Sequence, residues 1–135
     1  MHHIDPTSGQ FKAAKDRVAL DTPILMLNML RFRVSAKYSK EDQATACSGI
    51  EAYQRYSDLA FPILKSVNAS MRLYSNALAT MIGPQDETWD RVFVVEWPSF
   101  DVFLNTVMDP EYQKITFHRS AALDDSRLIM LENKH

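Results

Sequence analysis

Two polar side chains interrupt apolar stretches that have the composition of buried strands. Glu96 lies in the stretch 90–99, which is β-branched and aromatic over most of its length, and Asn28 is the only polar residue of the stretch 24–30. If the two strands are parallel neighbours that start level, these side chains lie side by side on one face of the sheet. A buried carboxylate beside an amide has its pKa raised by desolvation and suits a general base. The alternative is a structural ion pair of Glu96 with Arg31, Arg72 or Arg127.

His118 and Arg119 are the second candidate pair, within a predicted helix near the end of the chain. A neutral imidazole can act as acid or base near neutral pH, and a guanidinium can hold a carboxylate by two hydrogen bonds. Only one of two adjacent helical residues can point fully inward, so a structural role for His118 is the competing interpretation. Haem ligation by His118 has no supporting motif.

Aromatic side chains in the predicted helix and strands predict a pocket for a flat or apolar ligand, although such residues also fill protein cores. These aromatics are Tyr53, Tyr56, Trp89 and Trp97. The predicted catalytic residues are therefore Glu96 and His118. The predicted ligand-binding residues are Asn28, Arg31, Tyr53, Tyr56, Trp97 and Arg119.

Composition argues against several functional classes. A net charge of -2 gives no attraction to nucleic acid or anionic membrane, and 3 Gly are too few for a Gly-rich phosphate loop. The histidines other than His118 are His2, His3 and His135, near the chain ends, and no pair has a helical metal-ligand spacing. The single Cys47 excludes an internal disulfide and fits a reducing compartment. We expect a soluble cytoplasmic protein without metal or cofactor.

The order of predicted elements indicates the fold. A helix begins near Thr7, strands cover 24–30, 70–82, 92–97 and 126–132, and helical stretches cover 49–67, 99–107 and 109–123. This order is β-α-β-β-α-β after an extra N-terminal helix, which favours a ferredoxin-like α+β fold with a four-stranded antiparallel sheet. We expect one domain over 1–135, with 1–22 as an N-terminal helical extension. A flavodoxin-like fold needs more β-α units than this chain holds.

In that topology we expect the first and third strands to be the central pair and to run parallel. Both are apolar along their whole length, so both faces of the sheet should be covered. The helices cover one face, and a second copy of the chain is the simplest cover for the other. The sequence therefore predicts a homodimer formed through the open face of the sheet.

Motifs along nearly the whole chain resemble the family called domain of unknown function 1330, within the dimeric α+β barrel superfamily. The matching stretches are 4–7, 26–33, 49–53 with Tyr56, 82–84, 89–90, 98–99, 109–112, 118–123 and 125–128. Asn68 and Ala69 depart from the pattern, since such proteins often carry paired glycines there. The resemblance implies a dimeric barrel and brings no reaction with it.

Enzymes of that superfamily include cofactor-free oxygenases, lactone isomerases and haem-handling proteins, an analogy at the level of the fold. The function we expect is the binding of a small organic molecule by a dimeric α+β barrel. By analogy with the fold, the same site could carry out cofactor-independent catalysis of an oxygenase or isomerase type. The alternative is a non-catalytic dimerisation module with a structural or regulatory role. An enzyme should enclose a cavity faced by Glu96, Asn28 or His118, whereas a structural dimer should fill that space with apolar side chains.

Overall fold

Four strands form one antiparallel sheet in the computed structural model, which describes residues 2–19 and 21–134. The strands are β1 (Ile24–Phe32), β2 (Ser70–Asn76), β3 (Arg91–Trp97) and β4 (Leu123–Glu132), in the spatial order β2-β3-β1-β4. The helices are α1 (Ser8–Lys15), α2 (Gly49–Ser66), α3 (Phe100–Met108), α4 (Pro110–Gln113) and α5 (Thr116–Ala122), with a 3-10 turn at Lys40–Asp42. The predicted α+β fold and element order are confirmed, and the sheet is open within the chain. His135 lies outside the described residues.

Local sequence signals begin and end the helices where they were expected. Thr7 and Ser48 form capping boxes at the starts of α1 and α2, each accepting a hydrogen bond from the backbone three residues on. Asn68, just beyond α2, has the left-handed φ of 63° that lets the chain turn back toward β2. The helix α2 continues through Pro62.

The central strands β1 and β3 are antiparallel, so the predicted parallel arrangement is wrong. β3 follows β2 through a loop and pairs with it antiparallel, and β1 in turn pairs antiparallel with β3. The register places Leu25 opposite Glu96 and Asn28 opposite Phe93. Because directly opposed residues of an antiparallel pair share a face, Asn28 and Glu96 lie on opposite faces of the sheet.

One face of the sheet packs under the helices and is called the helix face. Its β1 and β3 residues form a buried cluster with side chains of α2 and α3, including Tyr53 and Phe103. The sheet residues of this cluster are Ile24, Met26, Leu30, Phe93, Val95 and Trp97. This cluster accounts for the apolar character of one side of the central strands.

The other face, called the open face, is not covered by any described part of the chain. Its central row crosses all four strands and is wholly apolar: Leu73, Val94, Leu27 and Ile129 lie side by side. The flanking rows add Leu25, Met29, Val92 and Leu131. Leu73 and Ile129 are among the exposed large hydrophobic residues. The second apolar side of the central strands is thus present as a surface.

Two predicted strand boundaries are wrong. β2 ends at Asn76 and not at Ile82, because residues 77–82 leave the sheet, and β4 begins at Leu123, three residues earlier than expected. A register shift between Met71 and Leu73 places a bulge at Arg72 on the edge strand.

Gly49 occupies the tightest backbone crossing, where the start of α2 meets the chain just after β1. Its N–H donates to the carbonyl of Arg33 (3.1 Å), and the N–H of Arg33 donates to the carbonyl of Ala122 (2.8 Å). A Cβ on Gly49 would lie 2.1 Å from the Arg33 oxygen and 2.8 Å from the Ala122 oxygen. Only glycine allows this approach.

Candidate functional site

A cavity of about 900 Å³ lies between the helix face of the sheet and the helices above it. Its walls come from β1, β3 and β4 below, from α2 and α3 above, and from the N-terminal segment, defined here as residues 2–19. Most lining side chains are aromatic or aliphatic, and polar side chains such as Asn28, Gln113 and Arg119 lie among them. This combination of size and lining is typical of a pocket for a small organic molecule.

Aromatic rings form much of the cavity wall. Tyr53 and Tyr56, one turn apart on α2, stack at an angle with ring centroids 5.2 Å apart. Trp97 at the end of β3 meets the Phe103 ring edge to face at 5.1 Å. Burial raises the pKa of Tyr53 and holds its phenol neutral. Three of the four predicted pocket aromatics therefore line one cavity.

A pair of tyrosine hydroxyls is one of the polar features of this wall. The hydroxyls of Tyr56 and Tyr112 are 2.7 Å apart, and their rings meet edge to face. Burial raises the pKa of Tyr56, so its hydroxyl stays protonated near neutral pH. Two phenols that share one hydrogen bond leave the second proton available to an oxygen atom of a ligand.

Arg119 is the most buried cation of the cavity lining. Its Nη1 donates to the carbonyl of Ile4 at 2.6 Å and lies 3.9 Å from the carboxylate of Asp5. The Arg119 side chain is 16% exposed, whereas that of Asp5 is 71% exposed and therefore well screened by water. No other hydrogen bond from this guanidinium reaches a described residue, so its remaining N–H groups are available to the cavity.

Asn28 faces the same cavity from the floor of the sheet. Its side-chain amide donates to the carbonyl of Met26 at 3.2 Å, which orients the amide along its own strand. The carbonyl oxygen of the side chain remains an acceptor for a ligand hydroxyl or amide. Asn28, Tyr53, Tyr56, Trp97 and Arg119 thus lie around one space.

Glu96 does not belong to this group, and the prediction that it shares a face with Asn28 is wrong. Its carboxylate lies on the open face, where it accepts hydrogen bonds from Arg72 and from the side chain of Asn133. The structural ion pair with Arg72 was the alternative interpretation of the sequence. The error follows from the antiparallel register, which gives alternate residues of β3 to the two faces.

Arg31 also lies away from the cavity, among charged groups where β1 meets β4. Its Nε donates to Asp124 at 2.8 Å, and its Nη2 is 3.6 Å from Asp125. The buried Asp125 accepts hydrogen bonds of 2.8 Å from the backbone of His3, the backbone of Ser126 and the Arg127 guanidinium. These bonds tie the N-terminal segment to β4.

Asp125→Ala is expected to lower the melting temperature by about 3–8 °C, from the loss of about 1–2 kcal/mol of hydrogen bonds. Burial disfavours the charged form, but the hydrogen bonds from His3, Arg127 and Ser126 outweigh it and lower the pKa of Asp125. A lowered pKa contributes stability above the ordinary carboxyl pKa, and this contribution is lost as pH falls through the folded value. The difference between Asp125→Ala and the unmodified protein should therefore shrink in acid.

Differential scanning calorimetry at neutral and acid pH measures this effect. Asp21→Ala, at an exposed position just before β1, serves as the control and should leave the melting temperature unchanged. Equal melting temperatures for Asp125→Ala and the unmodified protein would contradict the assignment of Asp125 to folding.

His118 is held outside the cavity lining, on the side of α5 that faces the chain between β1 and α2. Its Nδ1 is 2.6 Å from the hydroxyl of Tyr38, which also receives Nη1 of Arg55 at 3.4 Å. Burial and the charge of Arg55 lower the pKa of His118 and favour the neutral imidazole. This contact with Tyr38 agrees with the structural role that was the competing interpretation for His118.

Sequence reasoning missed Tyr112 and the N-terminal segment as parts of the site. Tyr112 follows Asp109 and Pro110, which were read only as a helix start, although an aromatic residue in that first turn could have been matched with those of α2. His3, Ile4 and Phe11 line the cavity because α1 packs against α3, with the Phe11 and Phe103 rings 6.3 Å apart. Trp89 was assigned to the pocket, but it stacks under Arg127, 5.1 Å from its guanidinium, outside the cavity lining.

Two further properties concern only residues 2–19 and 21–134. These residues contain no cluster of three or more His, Cys, Asp or Glu side chains able to hold a metal ion. None of the helices they form combines the length and the apolar character required to cross a bilayer.

Comparisons with known proteins identify a matching family and a similar solved structure. The family model described as "Domain of unknown function (DUF1330)" matches residues 35–133. A crystal structure of a protein of unknown function from Rhodopseudomonas palustris is 36% identical, with a TM-score of 0.90 and coverage of 100% of this chain and 99% of that one. No curated protein matches the chain.

More distant structures share the fold alone. A protein from Bacteroides fragilis, described as dimeric, of unknown function and with a ferredoxin-like fold, is 10% identical with a TM-score of 0.51, over 85% of this chain and 100% of that one. A dabb family protein from Mesorhizobium loti, also ferredoxin-like, is 9% identical with a TM-score of 0.52, over 84% of this chain and 98% of that one.

Proposed function

This chain belongs to the DUF1330 family of domains of unknown function, and we propose that it binds a small organic acid with an aromatic or apolar body. The observation that carries the proposal is Arg119 at the wall of a cavity of about 900 Å³ that is otherwise mainly aromatic and aliphatic. The apolar body of the ligand packs on the rings of Tyr53, Tyr56 and Trp97. Its carboxylate pairs with the guanidinium.

The charge balance of the cavity supports an anionic ligand. Arg119 is mostly buried, and its carboxylate neighbour Asp5 is exposed and 3.9 Å away. A mostly buried guanidinium whose neighbouring carboxylate is solvent-exposed favours a bound anion, and it matches the two oxygens of a carboxylate. A charge-assisted hydrogen bond of this kind is worth about 1.5–3 kcal/mol, or roughly 10- to 100-fold in affinity.

The hydroxyls of Tyr56 and Tyr112 give the ligand a second polar anchor. The hydroxyl pair donates to a carbonyl or hydroxyl oxygen of the ligand body. Donors of this type also stabilise an oxygen atom that gains negative charge in a reaction. The acid-base groups among the cavity residues, His3 and Asp5, lie in the N-terminal segment at the cavity edge.

A homodimer formed through the open face is part of the proposal. Eight apolar side chains on four strands make a surface that water contacts unfavourably, and a second copy of the same face covers it with the same chemistry. The Bacteroides fragilis protein of similar fold is described as dimeric. The cavity lies on the opposite face of the sheet, so each protomer holds its own complete site.

The test compares 3-phenylpropanoate with the neutral 3-phenylpropanamide, which has the same body without the charge. Trp97 reports binding by fluorescence once the second tryptophan is removed by Trp89→Phe. We expect the carboxylate to bind about 10- to 100-fold more tightly than the amide. In Arg119→Met, this ratio should fall to near one while the affinity for the amide stays the same.

Arg17→Met is the matched control, because Arg17 is exposed and outside the cavity lining. It should keep the full ratio of carboxylate to amide affinity. Equal affinity of the unmodified protein for the two probes would overturn the preference for an acid. No binding of either probe at millimolar concentration would overturn the ligand-binding proposal itself.

A further inference from the structure

Residues 77–82, between β2 and β3, carry three of the four most exposed large apolar side chains among the described residues. Leu78 is 97% exposed, Met81 90% and Ile82 96%. This segment, called the arm, begins where the N–H of Ala77 donates to the carbonyl of Asp90 at 2.9 Å, which closes its base. Beyond that bond the arm leaves the sheet.

Such a segment is unusual for a surface loop. Loops in water are rich in polar residues, and contiguous apolar side chains on a surface mark a site of interaction. The sequence of the arm, Ala-Leu-Ala-Thr-Met-Ile, contains a single polar side chain and no charge. The arm is therefore as apolar as a buried segment, although its side chains are exposed to solvent.

The size of the open face indicates what covers the arm. Four strands about 4.8 Å apart and about seven residues long give a flat area of roughly 400 Å². A stable interface between two proteins needs about 800 Å² from each partner. The flat area of the sheet face is about half of that value, and the arm is an apolar surface that adds to it.

The arm is also continuous with the open face. β2 is an edge strand exposed along its whole length, and it carries Leu73 of the central apolar row only five residues before Leu78. A copy of the chain seated on the open face therefore lies beside the β2 edge from which the arm emerges. Two-fold symmetry then makes the contact twice, each arm on the other protomer.

We propose that the arm of each protomer packs against a second copy of this chain and forms an essential part of the dimer interface. The inference rests on the homodimer proposed above and adds a surface outside the sheet. The apolar side chains of the arm are then buried only in the dimer. Its amide hydrogens should exchange slowly at concentrations where the protein is dimeric and rapidly after dilution to the monomer.

The experiment measures the dimer dissociation constant by sedimentation in the full-length protein. Leu78→Ser, Met81→Ser and Ile82→Ser combined are expected to raise it at least about tenfold, since three apolar side chains lose their burial. Leu59→Ser, at an exposed apolar position on α2 in the helix layer, is the control and should leave the constant unchanged. The arm variant should keep the circular dichroism spectrum of the unmodified protein.

The outcomes separate the two proposals. A dimeric unmodified protein with an unchanged constant in the arm variant would overturn the arm and leave the homodimer intact. Rapid exchange of the arm amides in the dimer would overturn the arm in the same way. An unmodified protein that sediments as a monomer at all concentrations would overturn the homodimer, and the arm contact with it.

Discussion

Gly49→Ala is expected to destabilise the protein by at least about 3 kcal/mol and to lower its melting temperature by roughly 10 °C or more. The added methyl group meets two backbone carbonyl oxygens, those of Arg33 at 2.1 Å and Ala122 at 2.8 Å. Neither oxygen can rotate away as a flexible side chain would. Relief of the clash separates α2 from the chain after β1 and breaks the hydrogen bonds that Gly49 and Arg33 donate.

Gly9→Ala provides the matched control within the same protein. A Cβ at Gly9, in the first turn of α1, meets only the Thr7 hydroxyl at 3.9 Å. Alanine favours a helix over glycine, so this variant should be as stable as the unmodified protein or slightly more so. Thermal unfolding of both variants measures the difference, and a Gly49→Ala protein that melts with the unmodified one would contradict the close approach.

Leu27→Asp is expected to convert the proposed dimer to a folded monomer. Leu27 lies between Val94 and Ile129 at the centre of the open face, so a carboxylate there would be buried against its symmetry mate without a partner. The cost of such burial exceeds what an interface of ordinary size can compensate. Light scattering coupled to gel filtration should give about twice the 15.5 kDa chain mass for the unmodified protein and about that mass for the variant.

A carboxylate added on the helix side of the sheet is the control for Leu27→Asp. Leu59→Asp adds the same carboxylate at an exposed position of α2, where water solvates it, and should leave the dimer mass unchanged. A Leu27→Asp protein that still elutes at twice the chain mass would show that the open face is not the interface.

The fold could be predicted from short-range signals. Apolar runs located β1 and β3, and the capping boxes at Thr7 and Ser48 located the starts of α1 and α2. The relative direction of β1 and β3 could not be obtained in the same way. Direction and register are set by pairing between strands far apart in the chain. A continuous apolar run does not show which of its residues face the helices and which face the other side of the sheet.

The candidate site was predictable in residue type and only partly in position. Tyr53, Tyr56 and Arg119 meet because α2 and α5 cover the same face, as their helical spacing indicated. Glu96 was misplaced because one step along a strand changes the face. The chemistry of a strand residue therefore depends on a register that composition does not encode.

The N-terminal segment builds one wall of the cavity and packs against the core through partly buried side chains such as Phe11 and Ala14. Its helix α1 has no buried residue, and the family match begins beyond it, at residue 35. Substitutions at the exposed positions of this segment can therefore change the edge of the cavity at little cost to folding. Under the proposed function, related chains that share the sheet and differ in residues 2–19 would differ in the molecules they accept, without a change of scaffold.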